Sequence, residues 1–123
     1  MHEFHNQKPL YLQLKELIEK LILDDVLKGD DVIPSIRTLS KDYQLNPLTV
    51  TNAINELVDD GVLYKKRGIG MFVSGNAKGR IKKLQLGNFK NNELTATIEK
   101  AKSLGMKAEE IDEIIKKLYG GQT

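Results

Sequence analysis

Two short amphipathic stretches meet at Asn46-Pro47 with only two or three residues between them, and this junction restricts the chain more than any other feature. Pro34-Ser35 starts the first stretch. The Ser35 hydroxyl can cap free backbone N–H groups, and Ile36, Leu39 and Tyr43 recur on one face until the pattern stops near Gln44. Asn46 is a favoured N-cap and Pro47 suits the first helical position, where a missing N–H costs nothing, so a second helix opens there. Val50, Ala53, Ile54, Leu57 and Val58 then fall on one stripe, and Gly61 stands where a left-handed stop is expected. The opposite front carries Leu48, Thr49, Thr51, Asn52 and Asn55, which is uncharged and rich in donors and acceptors. Asn can pair with an adenine edge, and a Thr or Leu methyl can pack on the thymine methyl, so this front suits base reading in a major groove. The simpler alternative is a solvated polar face.

The next residues favour the first alternative. Val62, Leu63 and Tyr64, then Met71, Phe72 and Val73, are short β-favouring runs around Lys65-Lys66-Arg67-Gly68-Ile69-Gly70. The spacing predicts a hairpin whose glycines take positive φ and whose three cations suit phosphate contact or a minor groove, although a basic tip can also be just a soluble loop. Helix, tight turn, helix and basic ribbon make up the order of a winged helix-turn-helix. Leu10, Leu14, Leu17, Ile18, Leu21 and Ile22 form a further helical stripe between Pro9 and about Leu27, expected to pack behind the helix pair. Its mixed charges argue against a membrane-surface helix.

After Ser74 the composition changes. Gly75 to Arg80 has linker character and Ile81 to Lys90 is basic without a clear period, so residues 76–90 are expected to form a basic linker. Leu94, Ile98, Ala101 and Leu104, ending at Gly105, and Ile111, Ile114, Ile115 and Leu118, ending near Gly120, predict two short amphipathic helices over residues 91–123. Such a hairpin cannot bury both faces alone. A second copy is the economical partner, and two-fold pairing would place two reading helices on successive major grooves of a palindromic operator; a monomer with the hairpin folded onto its own first domain is the alternative. The expected fold class is therefore α+β, mainly α, with a winged helix-turn-helix over residues 1–75 and a two-helix hairpin for dimerisation.

Four segments carry a resemblance: Pro9-Leu10-Tyr11-Leu12-Gln13-Leu14, Ile33-Pro34-Ser35-Ile36-Arg37, Leu45-Asn46-Pro47-Leu48-Thr49-Val50, and Gly61-Val62-Leu63 with Arg67-Gly68-Ile69-Gly70-Met71-Phe72-Val73. In order and spacing over roughly residues 8–74, the chain resembles the GntR-type bacterial transcription regulators, in particular their short YtrA-like branch. The match departs in the loop after the first helix, where Asp25 replaces an expected Gly and Gly29 sits one residue early. The resemblance implies DNA contacts at Ser35, Arg37, Asn46, Leu48, Thr49, Thr51, Arg67, Gly68 and Gly70, and a dimeric use of the tail. The polar front and the basic tip add Asn52, Lys65 and Lys66 to this set.

Composition excludes other classes. The chain has 123 residues, enough for one small domain with an appendage. Its net charge of +2 is unevenly placed: residues 1–75 hold nine Lys or Arg against eleven Asp or Glu, whereas residues 76–123 hold ten against six. Binding to phosphate must therefore rely on local strips of charge, including Lys78, Arg80, Lys82, Lys83 and Lys90, rather than on a global field. There is no cysteine, no apolar run long enough for a membrane span and no signal-peptide pattern at the N-terminus, so a cytoplasmic location is expected. His2 and His5 lie in an N-terminus expected to be mobile and lack the helix context of metal ligands. No nucleophile, base and orienting acid can be assembled from spacing, and no phosphate-binding loop opens a helix. The expected function is that of a non-enzyme, a sequence-specific transcription regulator without cofactor or metal, acting as a homodimer on double-stranded DNA. The competing class is a winged-helix protein-interaction module using Leu48, Thr51 and Tyr64. Any small-molecule effector is unreadable.

Overall fold

The computed structural model describes residues 3–5 and 7–120. Its elements in chain order are α1 (Leu10–Leu23), α2 (Ile36–Tyr43), α3 (Pro47–Asp59), β1 (Leu63–Lys66), β2 (Gly70–Val73), α4 (Ala77–Asn88), a π-helical segment (Phe89–Leu94), α5 (Thr95–Ser103) and α6 (Ala108–Leu118). These divide into two compact units, residues 1–83 and 84–123.

In the first unit the apolar stripes become one core. Leu14, Ile18 and Ile22 of α1 meet Val50, Ala53, Ile54 and Leu57 of α3, with Leu39, Leu63 and Val73 closing the cluster. Each such side chain contributes on the order of 1.5 to 3 kcal/mol when buried. Buried Gln13 holds the chain before α1: its Nε2 donates to the carbonyls of His5 and Lys8 at 2.6 and 2.7 Å, and its Oε1 accepts from the His5 N–H at 2.9 Å. The segment around His5, expected to be mobile, is thus tied to α1, while His2 lies outside the described residues.

Helix ends follow from cap chemistry. After α3, Gly61 takes φ +76°, its N–H bonds to the Val58 carbonyl and that of Val62 reaches back to Leu57, a Schellman stop. The same reversal ends α1 and α2, at Asp25 (φ 60°) and Gln44 (φ 54°). Asp25 thus adopts the left-handed conformation for which a glycine was expected, and its carboxylate pairs with Lys78 at 3.0 Å.

β1 and β2 pair antiparallel with Leu63 opposite Val73 and Lys66 opposite Gly70. The ribbon has an additional neighbour. Val32 bridges to Phe72, and three backbone bonds join residues 30–33 to β2, so the segment leading into α2 runs along the wing. This register fixes the start of α2 against the ribbon.

The expected linker over residues 76–90 is corrected: Ala77–Asn88 is a helix. Ala77 and Ile81, one turn apart, are buried in the first unit, which outweighs the weak helix preference of Gly79 and Gly87. In the second unit Thr95 Oγ1 donates to the Lys90 carbonyl at 2.7 Å, across the π-helical turn. Gly105 (φ +92°) ends the helix that carries Leu94 to Leu104, and α6 opens with Glu110 accepting from the Lys107 N–H. Of the apolar residues expected to pair with a partner, Leu94, Ile98, Leu104, Ile114, Ile115 and Leu118 are exposed, and Ala101 and Ile111 are half-buried.

Candidate nucleic-acid interface

The N-cap residues of both helices face the same question of how to satisfy free N–H groups. Ser35 Oγ accepts from the Thr38 N–H at 3.1 Å and donates to Thr38 Oγ1, and Asn46 Oδ1 accepts from the Leu48 N–H at 2.8 Å. These caps set where α2 and α3 begin. They leave Arg37 exposed in the first turn of α2, and Leu48 and Asn52 exposed with Thr49 and Thr51 half-buried at the start of α3. Beneath the turn, the Ser40 hydroxyl bonds to the Leu45 carbonyl and locks the two helices together.

A cleft of about 770 Å³ runs between α2, α3 and the wing. Ser35 and Arg37 line it from α2, Asn55 and Val58 from α3, and Lys65 and Gly70 from the ribbon. Four of the expected contacts, Ser35, Arg37, Lys65 and Gly70, therefore share one concavity. Asn46, Leu48, Thr49, Thr51, Asn52, Lys66, Arg67 and Gly68 lie outside its lining. Asn55, part of the front expected to read bases, also lines it, and so does Thr38, which the sequence did not single out. Asn55 was visible on the polar front of α3, and Thr38 stands three residues after the Ser35 cap.

Charge in this cleft is of one sign. Among the described residues no Asp or Glu lines it, and neither Arg37 nor Lys65 takes part in an ion pair. The other end of α3 is different. Lys15 of α1 pairs with Asp60 at 2.9 Å and with Glu56 at 3.3 Å. Burial alone would lower the Lys15 pKa, but hydrogen bonds and charge from Asp60 and Glu56 raise it above the ordinary 10.5.

The wing has two distinct faces. Lys65 and Met71 turn to the cleft. On the other face the Tyr64 and Phe72 rings stack with centroids 5.7 Å apart, Lys66 Nζ lies 4.7 Å from the centre of the Phe72 ring, and the Tyr64 hydroxyl donates to Asp30 at 2.8 Å. That hydrogen bond to a carboxylate raises the Tyr64 pKa. Gly68 (φ +77°) and Gly70 (φ +146°) allow the tight turn around Arg67. The basic strip expected beyond residue 76 is partly used internally, since Lys78 pairs with Asp25 and Arg80 Nε donates to the Asp60 carbonyl.

The profile of the family described as "Bacterial regulatory proteins, gntR family" matches residues 10–73, more than half of the chain and the full run from α1 to the end of the wing. The chain belongs to the gntR family. Similarity to individual proteins extends past the matched segment. The chain is similar to the HTH-type transcriptional repressor YtrA of Bacillus subtilis (strain 168), 32% identical over 110 residues that cover 89% of this chain and 84% of that protein. Among solved structures it is similar to a transcriptional regulator from Oenococcus oeni, with a TM-score of 0.77 and 30% identity, covering 96% of this chain and 97% of that one. A third likeness is to the AraR DNA-binding domain in complex with an operator, with a TM-score of 0.55, 31% identity, and 58% and 93% of the two chains covered. The winged helix-turn-helix expected from the sequence and its resemblance to the GntR regulators are thereby borne out. Among the described residues, no helix is long and apolar enough to cross a membrane.

Proposed function

We propose that this gntR-family chain is a sequence-specific transcription repressor that binds an inverted-repeat operator as a homodimer. The single observation that carries the reading is the cleft in which Arg37, Asn55 and Lys65 converge from α2, α3 and the wing, with no acid among the described residues that line it. A duplex seated there meets Lys65 at its backbone and Arg37 at a base edge, while the polar start of α3, with Leu48, Thr51 and Asn52, enters the major groove. Arg67 and the turn glycines Gly68 and Gly70 reach the flanking groove, where Arg is favoured. Ser35 and Asn46 act through their caps and through the backbone N–H groups they organise near phosphate.

Residues 1–75 supply DNA binding and residues 91–123 supply pairing. The exposed Ile98, Ile114, Ile115 and Leu118 support the second assignment, because a helix pair with such faces in water is poorly covered until another apolar surface meets it. Similarity to a repressor covering most of both chains, and to a DNA-binding domain held on an operator, supports the same reading. Selection of bound duplexes from a random pool tests it. The expected product is an enriched palindrome whose half-sites lie about one helical turn apart; recovery of duplexes without any shared sequence would overturn the reading.

A further inference from the structure

We infer that Arg80 is a positioning residue for the reading helix, an inference that rests on the DNA-binding reading above. α3 ends in Asp59-Asp60 and carries no basic residue in its last turn, so two acids stand at the negative end of the helix dipole. Left alone, that end is disfavoured. Two cations from other elements offset it: Lys15 of α1 pairs with the Asp60 carboxylate, and Arg80 of α4 donates from Nε to the Asp60 carbonyl at 2.8 Å.

The guanidinium also occupies the space above Gly61. A Cβ on Gly61 would lie 2.6 Å from Arg80 Nε, so the residue that stops α3 must be small for this contact to form, besides needing its positive φ. Ala77 and Ile81, buried in the first unit, bracket Arg80 and fix the turn of α4 from which it reaches. Thus the tether joins two packed elements.

Arg80 cannot act by touching DNA at the front of α3. Thirteen residues at 1.5 Å each place Asp60 about 20 Å from the Asn46 end. Any effect on base reading must pass through the placement of the helix. Its signature is lower preference for the cognate site with an unaltered salt dependence, because no phosphate contact is lost.

The test uses the full chain, a duplex recovered by site selection and a scrambled duplex of equal length, all well below the unfolding midpoint. R80A is expected to lower the cognate-over-scrambled ratio by about fivefold or more, to leave the slope of log affinity against log salt unchanged, and to speed amide exchange at Gly61 and Val62. R80K keeps a donor for the same carbonyl and is expected to recover part of the ratio. An unchanged ratio, or a slope reduced by about one unit, overturns the inference, the latter because it makes Arg80 a phosphate contact. If the unaltered protein prefers no duplex at all, the function reading falls, and the exchange measurement still decides whether Arg80 holds the end of α3.

Discussion

Lys65 and Lys66 are neighbours in β1 that leave the ribbon on opposite faces: Lys65 lines the cleft that also holds Arg37, and Lys66 Nζ lies 4.7 Å from the centre of the Phe72 ring. The cause is the two-residue period of a strand. Two cations that look equivalent in sequence therefore differ in what they can touch. Lys65→Ala is expected to weaken binding to all duplexes alike and to reduce the salt slope by about one unit. Lys66→Ala is expected to change that slope less and to cost about 0.5 to 1 kcal/mol of stability through the lost ring contact. Salt titrations and melting curves of the two variants check this, and equal slope losses would refute the separation of faces.

Arg37 projects from the first turn of α2, exposed and without an ion pair among the described residues, next to the groove side of α3. Arg37→Ala is expected to cost about 1 to 3 kcal/mol of binding to the selected site and to remove most of the preference for it. Its effect on folding should be small, since no core contact is lost. A binding titration against cognate and scrambled duplexes gives the answer, and an undiminished preference rules the assignment out.

The parts of this fold that were readable in the sequence are those set by local chemistry. Ser35, Asn46-Pro47 and Gly61 carry their caps and stops in their own side chains or in the lack of one, and the stripe from Val50 to Leu57 needs only helical spacing. What was not readable depends on tertiary contact. α4 has two buried anchors, Ala77 and Ile81, too few to make a periodic pattern among its lysines and glycines. The bridge from Val32 to Phe72 involves a segment too short to register as a strand. Membership of the cleft depends on how α2 lies against the wing, so Thr38 and Lys65 share it although 27 positions separate them in sequence.

Glu19 is the buried acid of α1, with 8% of its surface exposed. Burial raises its pKa above the ordinary 4.5, the Lys15 charge lowers it, and Asp60, Glu16 and Glu56 raise it further. Between the unfolded and folded values the native state holds more protons than the unfolded one, so stability falls as pH rises upward from about 4.5 through the folded value. Glu19→Gln removes the buried charge. The variant is expected to unfold at a higher temperature at neutral pH and to lose that stretch of pH dependence, both measurable by thermal melts across pH 4 to 8. A lower melting temperature at neutral pH would mean that attraction to Lys15 outweighs the desolvation of the carboxylate.

The proposed pairing through the second unit is open to a direct test at exposed apolar positions of α6. Leu118 retains 79% of its surface and Ile114 48%, on a helix that carries acids in its first turn and lysines in its last. Burying an apolar side chain of this size contributes about 1.5 to 3 kcal/mol, and a two-fold axis counts each position twice. Ile114→Asp and Leu118→Asp are therefore each expected to shift the protein from dimer to monomer in sedimentation at micromolar concentration. The first unit, residues 1–83, should keep its own core and its melting behaviour. A monomer can still engage one half-site, so affinity for the full palindrome should fall to that for a half-site, while the preference for the half-site sequence persists. Variants that stay dimeric with unchanged operator affinity would place the pairing surface elsewhere.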